Sequence, residues 1–207
     1  MSIRDSETKG ERDSARVRLT AAALRIFARD GFDGASTRDI AEAAGVNHSL
    51  IPYHFGSKDG LWRETMSGLL VAFETAQLKS EAALAGAAPD VRLRAAIREF
   101  VVFCAERPEF HRVMTAEWAQ GAERIRWLGE THVKPVSRRM IALIEAAQRD
   151  GSAPPGDPVR LQYAVIGAAA TAFAMASEYR MLCGREAQTP DGIEETVRIV
   201  ERIVLRP

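Results

Sequence analysis

Residues 36–58, STRDIAEAAGVNHSLIPYHFGSK, constrain this chain more tightly than any other stretch. Ser36 followed three residues later by Asp39 is a capping-box start, so a helix begins at Thr37. Ile40, Ala41 and Ala44 recur at helical spacing and give that helix one apolar face. Gly45 stops it, because glycine reaches φ > 0 without steric cost. Val46 fills the turn, and the side-chain oxygen of Asn47 offers a cap to a second, short helix. That second helix turns Ile51 and Phe55 inward and leaves His48, Ser49, Leu50, Tyr53 and His54 facing outward. Two short helices joined by a tight, glycine-containing turn form a helix-turn-helix, whose second helix enters a DNA major groove. Pro52 has no N–H and disfavours helical geometry at Ile51, which predicts a distorted second helix.

The flanking chain reads as helical throughout, and no strand pattern or repeat is visible. Residues 1–12 are charged and small and read as a flexible arm. A first helix over 13–29 carries Leu19, Ala23, Ile26 and Phe27 on one side. Asp30-Gly31 ends it, and Phe32 is expected to tuck back into the core. Ser57 caps a long fourth helix over about 58–84, with Asp59 in its first turn. A fifth helix carries the stripe Leu93, Ile97, Phe100, Val101 and Cys104 and is broken by Pro108. A short sixth ends near Gly121, and Pro135 is expected to kink or split the helical stretch 122–149. A helix over about 158–179 is apolar all round, with an alanine row at Ala164, Ala168, Ala172 and Ala176. A last helix after Thr189-Pro190 carries Ile193, Val197, Val200 and Val204. Together these two have more apolar surface than a small body can cover. They are therefore expected to form a homodimer interface of two helices from each subunit. The expected architecture is all-α: a helix-turn-helix domain over 13–57 and a larger ligand-binding and dimerisation body over 58–207.

Composition narrows the partners. The 28 basic and 28 acidic residues cancel, so no global field draws the chain to DNA or to a membrane. Residues 1–60 balance as well, with nine of each sign, so DNA affinity has to come from a few placed contacts, helix N-termini and dimer symmetry. Cys104 and Cys183 lack metal-ligand spacing and read as buried thiols in a reducing compartment. The N-terminus has no apolar segment, and the longest apolar run, 164–176, is too short to span a bilayer. A cytoplasmic protein is expected. The histidines at 48, 54, 111 and 132 form no metal constellation, no phosphate loop or nucleophile elbow is present, and no cofactor is implied.

The body gathers aromatic residues at Phe73, Phe100, Phe103, Phe110, Trp118, Trp127 and Phe173, with Met114 among them. Glu117, His132 and Thr171 fall nearby in the pattern. Apolar walls with a few polar groups describe a ligand pocket.

The blocks Thr37-Arg38-Asp39-Ile40-Ala41, Ala44-Gly45-Val46 and Tyr53-His54-Phe55-Gly56-Ser57-Lys58, with Leu61 and the lead-in 23–34, resemble the TetR (tetracycline-repressor) family of bacterial transcription regulators. The resemblance covers roughly the first 60 residues; the rest matches in length and helical rhythm only. It implies that Thr37, Arg38 and Lys58 hold phosphates, helped by backbone N–H groups at helix starts. It also implies that His48, Ser49 and Leu50, opened by Asn47, reach base edges, while Tyr53 and His54 hold the backbone. Pro52 departs from the family pattern, which usually carries an aromatic residue there. A small apolar or aromatic effector in the body is implied too. The resulting expectation is a ligand-responsive regulator, most simply a repressor, binding a palindromic double-stranded operator as a homodimer. Two alternatives stay open: a helical interaction protein controlled by a protein partner, and a regulator without an effector.

Overall fold

The computed structural model describes the backbone over residues 3–206 and side chains over residues 13–206. The stretch 3–12, expected as a flexible arm, has helical backbone and forms the start of α1, while residues 1–2 lie outside the described residues. Among the described residues there is no strand. The helices are α1 (Ile3–Gly34), α2 (Thr37–Ala43), α3 (Leu50–Phe55), α4 (Lys58–Ala83), α5 (Pro89–Glu106) and α6 (Pro108–Gln120). They continue as α7 (Glu123–Leu128), a π-helical turn (Gly129–Val133), α8 (Lys134–Arg149), α9 (Pro158–Ala174), α10 (Ala176–Cys183) and α11 (Pro190–Val204). The all-α architecture read from the sequence is the one observed.

Two compact units are present: Met1–Leu69 with Arg112–Leu128, and Leu70–His111 with Gly129–Pro207. The division does not fall at 57/58, where the change of pattern placed it. The first turns of α4 and the stretch 112–128 bury their apolar side chains, Leu61, Trp62, Met66, Ile125 and Leu128, completely. Contacts between distant stretches, which no local pattern reports, make them part of the first unit.

In the first unit α1, α2 and α3 pack on one another. Leu19, Ala23, Ile26, Phe27, Ile40 and Ile51 are buried, as the apolar spacing marked them. The helix backbone of α1 breaks at Gly31 (φ 71°, ψ 174°), and the ring of Phe32 returns to stack on Phe27, centroids 5.9 Å apart.

In the second unit α5 packs against α8, α9 and α11, and α9 also touches α8 and α11. Their shared core includes Leu93, Ile97, Val101, Ile144, Val165, Phe173, Val197, Val200 and Val204. Val197, Val200 and Val204 are thus buried within one subunit, which corrects their assignment to a dimer seam. A helix as strongly amphipathic as α11 satisfied its apolar stripe on its own unit first. Ala168, Ala172 and Ile193 also lean on this core. The helix expected over 158–179 breaks at Met175 (φ −105°, ψ 36°), and α10 leaves at 76° to α9. Ala176 therefore belongs to a different helix from Ala164, Ala168 and Ala172. Pro135 stands near the start of α8, directly after the π-helical turn Gly129–Val133; Val133 keeps helical angles (φ −66°, ψ −43°), so the segment 123–149 is not split in two. Cys104 is buried, and burial pushes its thiol up to about 12; Cys183, expected buried, is exposed at the end of α10. Among the described residues no single helix is long and apolar enough to cross a membrane.

Candidate nucleic-acid interface

The local chemistry of residues 36–58 builds a rigid helix-turn-helix. Ser36 Oγ accepts from the N–H of Arg38 at 3.2 Å and caps α2. At the other end Gly45 (φ 63°) lets its own N–H reach Glu42 O at 2.9 Å and that of Val46 reach Ala41 O at 3.0 Å. This paired closure is a Schellman motif, and only a residue at home with positive φ makes it without strain. Asn47 Oδ1 accepts from the N–H of Ser49 at 2.9 Å and so caps the approach to α3.

Pro52 does not distort α3 as its type predicts. The helix begins at Leu50, so Pro52 falls in its first turn, where N–H groups have no helical partner anyway. The carbonyl of His48 that Pro52 cannot serve is taken by the N–H of Ile51 at 3.1 Å, and Tyr53 N–H reaches Ser49 O at 3.3 Å.

Of the residues expected to meet DNA, Arg38, Asn47, His48, Ser49 and Tyr53 are exposed, while Thr37, Leu50, His54 and Lys58 are half-buried. Thr37 and His48 are joined to each other, Oγ1 to Nε2 at 2.9 Å, which ties the start of α2 to the entry of α3. Tyr53 is 64% exposed.

Two of the set are placed differently from the role the resemblance implied. The ring of His54 lies between Tyr53 and Phe55, and its Nε2 is closed to solvent and has no hydrogen-bond partner. Nε2 is therefore not turned toward a phosphate. Lys58 spends its ammonium on the first unit itself: Nζ donates to Phe32 O at 2.8 Å and Ala35 O at 2.9 Å, and lies 4.6 Å from the centre of the Phe32 ring. It ties the start of α4 to the connection between α1 and α2. Lys58→Ala is accordingly expected to destabilise the protein by roughly 2 kcal/mol, the scale of lost charge-assisted hydrogen bonds. Tyr53→Ala, at an open position, should leave thermal unfolding unchanged. Melting curves of the two variants check this directly.

The profile of bacterial regulatory proteins of the tetR family matches residues 19–65, and that of the YcdC-like C-terminal region matches residues 71–207. The second match alone covers more than half of the chain. This chain belongs to the TetR family. It is similar to the HTH-type transcriptional repressor NicS of Pseudomonas putida, 29% identical over 105 residues, or 51% of this chain and 49% of NicS. The chain spans about half the length of the curated relatives it matches. Among solved structures it shares its fold with a HlyIIR mutant protein (TM-score 0.73, 17% identity, 95% of this chain and 100% of that one). It shares it equally with AibR, in complex with isovaleryl coenzyme A and operator DNA (TM-score 0.70, 18% identity, 91% and 97%). The first profile describes bacterial regulatory proteins, and NicS carries the name of an HTH-type transcriptional repressor.

The residues expected to line one ligand pocket are divided between the two units. Phe73, Phe100, Phe103 and Phe110 form a chain of ring contacts in the second unit, centroids 4.8–5.9 Å apart. Phe173 is sealed in that unit's core. Thr171 is exposed and its hydroxyl donates to Gly167 O at 2.7 Å, while His132 lies in the π-helical turn. Met114, Glu117, Trp118 and Trp127 belong to the first unit, where Trp118 is exposed and Trp127 lies under Arg63, 4.5 Å from its guanidinium.

Glu117 has a structural partner that the sequence pattern missed. It is 2% exposed; Arg124 Nη2 donates to its Oε1 at 3.1 Å, and Arg124 Nε lies 2.7 Å from Oε2. The same guanidinium sits 3.7 Å from the centre of the Phe32 ring and 5.8 Å from that of Trp62. Phe32 thus carries Arg124 and Lys58 as two cationic neighbours. A seven-residue separation between Glu117 and Arg124, interrupted by Gly121, gives no local sign of the pair.

Proposed function

We propose that this TetR-family chain is a cytoplasmic repressor that binds a palindromic operator as a homodimer and releases it when a small effector binds. The observation that carries the reading is the set of open side chains, Arg38, His48, Ser49 and Tyr53, on a helix-turn-helix held by the Ser36 cap and by the hydrogen bonds of Gly45, Val46 and Asn47 in its turn. A rigid element with polar side chains left outside is what major-groove reading needs. The balanced charge of the chain means few phosphate contacts, so affinity should fall only shallowly with salt.

Support for the dimer comes from apolar side chains that the core of the second unit leaves open. On α9 these are Val159 and Tyr163, in line with exposed Gly167 and Thr171; on α11 they are Ile199 and Ile203. α9 and α11 touch, so the two faces together offer a surface for a second copy, displaced around each helix from the alanine row. The ring chain Phe73–Phe103–Phe110 supports an apolar or aromatic effector. Phe73 lies on α4, the helix that also carries Lys58, and a coupling of about 1–3 kcal/mol between effector and operator is typical of such switches.

Selection from a random DNA library, followed by binding at two salt concentrations, tests the proposal. The expected product is an inverted repeat, with Ser49→Ala changing the preferred sequence and Tyr53→Ala weakening all sequences alike. A selected site without two-fold symmetry would overturn the dimeric reading. The paired change Tyr163→Glu with Ile199→Glu is expected to give monomers by light scattering and to lose the operator; a dimer that persists places the interface elsewhere.

A further inference from the structure

The side chains of Thr37 and His48 meet across the turn of the helix-turn-helix, 11 residues apart, with Thr37 Oγ1 2.9 Å from His48 Nε2. Both ends of this bond are anchored. Thr37 opens α2, which Ser36 caps, and as a β-branched residue it is stiff at χ1. The backbone around His48 is held by three hydrogen bonds. Leu50 N–H donates to Asn47 O at 3.0 Å, Ile51 N–H to His48 O at 3.1 Å, and Ser49 N–H to Asn47 Oδ1 at 2.9 Å. An exposed imidazole on such a backbone would still exchange rotamers within nanoseconds. The bond to Thr37 restrains the ring before DNA arrives, and a contact made by a preorganised group loses less entropy on binding.

The same bond gives the two ring nitrogens different tasks. Thr37 Oγ1 makes no other hydrogen bond among the described residues, so Nε2 is the protein acceptor available to its hydrogen. With the hydroxyl donating, the neutral ring carries its own hydrogen on Nδ1. Nδ1 points away from Nε2 in the ring plane and makes no hydrogen bond among the described residues, and His48 is exposed. An N–H donor at the entry of α3 matches the acceptors that purines present in the major groove, N7 of either purine and O6 of guanine.

We propose that Thr37 is a specificity-determining positioning residue, which holds the His48 ring so that Nδ1–H meets a purine edge. The inference rests on the operator reading above. It gives Thr37 a different task from the phosphate contact that the resemblance implied.

Library selection and competition binding test it with the wild type, Thr37→Ala, Thr37→Ser, His48→Ala and the double variant Thr37→Ala/His48→Ala. Alanine at the start of a helix is favoured by propensity, so Thr37→Ala is expected to fold. It should lose about tenfold in preference for a purine at the half-site position that His48→Ala also relaxes. The double variant should show the preference of His48→Ala alone, because one contact is removed twice. Thr37→Ser keeps the hydroxyl and should restore most of the preference. A phosphate contact would instead weaken all sequences alike and leave the preference intact. That result, or additive losses in the double variant, overturns the proposal. Nuclear magnetic resonance of isotope-labelled histidines in the DNA-free protein gives a separate readout. His48 should hold its hydrogen on Nδ1 in the wild type and Thr37→Ser, and become a mixture of tautomers in Thr37→Ala. A wild type that selects no sequence overturns the operator reading and the base contact together, whereas an unchanged His48 tautomer in Thr37→Ala overturns the positioning alone.

Discussion

Replacing Arg124 with alanine is expected to lower the stability of the first unit by about 3–5 kcal/mol, the range found when one member of a buried ion pair is removed. The carboxylate of Glu117 is almost completely enclosed and would lose its guanidinium partner. The stacking of Arg124 on Phe32 disappears in the same variant, adding about 0.5–2 kcal/mol of cation–π attraction to the loss. Glu117→Ala should be damaging by the mirror-image argument, because it strands the cation. The pair Glu117→Leu with Arg124→Met removes both charges and should recover most of the stability, since a buried pair contributes little against apolar groups of similar size. Thermal unfolding of the wild type and these three variants separates the cost of a stranded charge from the net contribution of the pair. A loss under about 1 kcal/mol in either single variant would mean that water reaches the pair and that it does not hold the first unit together.

Gly60→Ala is the second large effect, and its sign opposes helix propensity. Alanine within a helix is favoured over glycine by up to about 1 kcal/mol, and Gly60 lies in the first turn of α4. A Cβ built there would stand 2.0 Å from the carbonyl oxygen of Phe55 and 3.2 Å from its carbon. That oxygen is backbone at the end of α3, so no side-chain rotation relieves the clash; α3 or α4 has to shift. A loss of about 2–3 kcal/mol is expected, the upper range of overpacking, together with weaker operator binding because α3 moves. Gly68→Ala in the same helix is the matched control: its Cβ would meet nothing within 4 Å. That variant should melt at the same temperature as the wild type or slightly above it. If Gly60→Ala also gains stability, the close approach of Phe55 to α4 is not rigid.

Both effects lie at positions where sequence pattern is silent, and the contrast with the helix-turn-helix is instructive. The caps at Ser36 and Asn47 and the turn at Gly45 were readable because each is a short-range hydrogen bond between residues two to five apart. Residue type and spacing encode such bonds completely. Pro52 shows the limit of the same logic. Its effect depends on whether it falls in the first turn or the interior of α3, and that is set by where the helix starts. The bend at Met175 lies further out of reach, since no proline or glycine occurs between Ala170 and Cys183 to signal it.

By itself, the sequence determined the all-α class, the helix-turn-helix and its caps, and the apolar faces of α5 and α11, all fixed by local bonding and helical period. Tertiary structure decided which partner each side chain took. It placed Lys58 on the carbonyls of Phe32 and Ala35, Glu117 on Arg124, and Val197, Val200 and Val204 in the core of their own unit. It also placed 112–128 with the helix-turn-helix instead of the body. The physical reason is that a lysine, a carboxylate or an apolar stripe advertises only what kind of neighbour it needs. Several neighbours of that kind are available along 207 residues, and only the packing of distant helices selects among them.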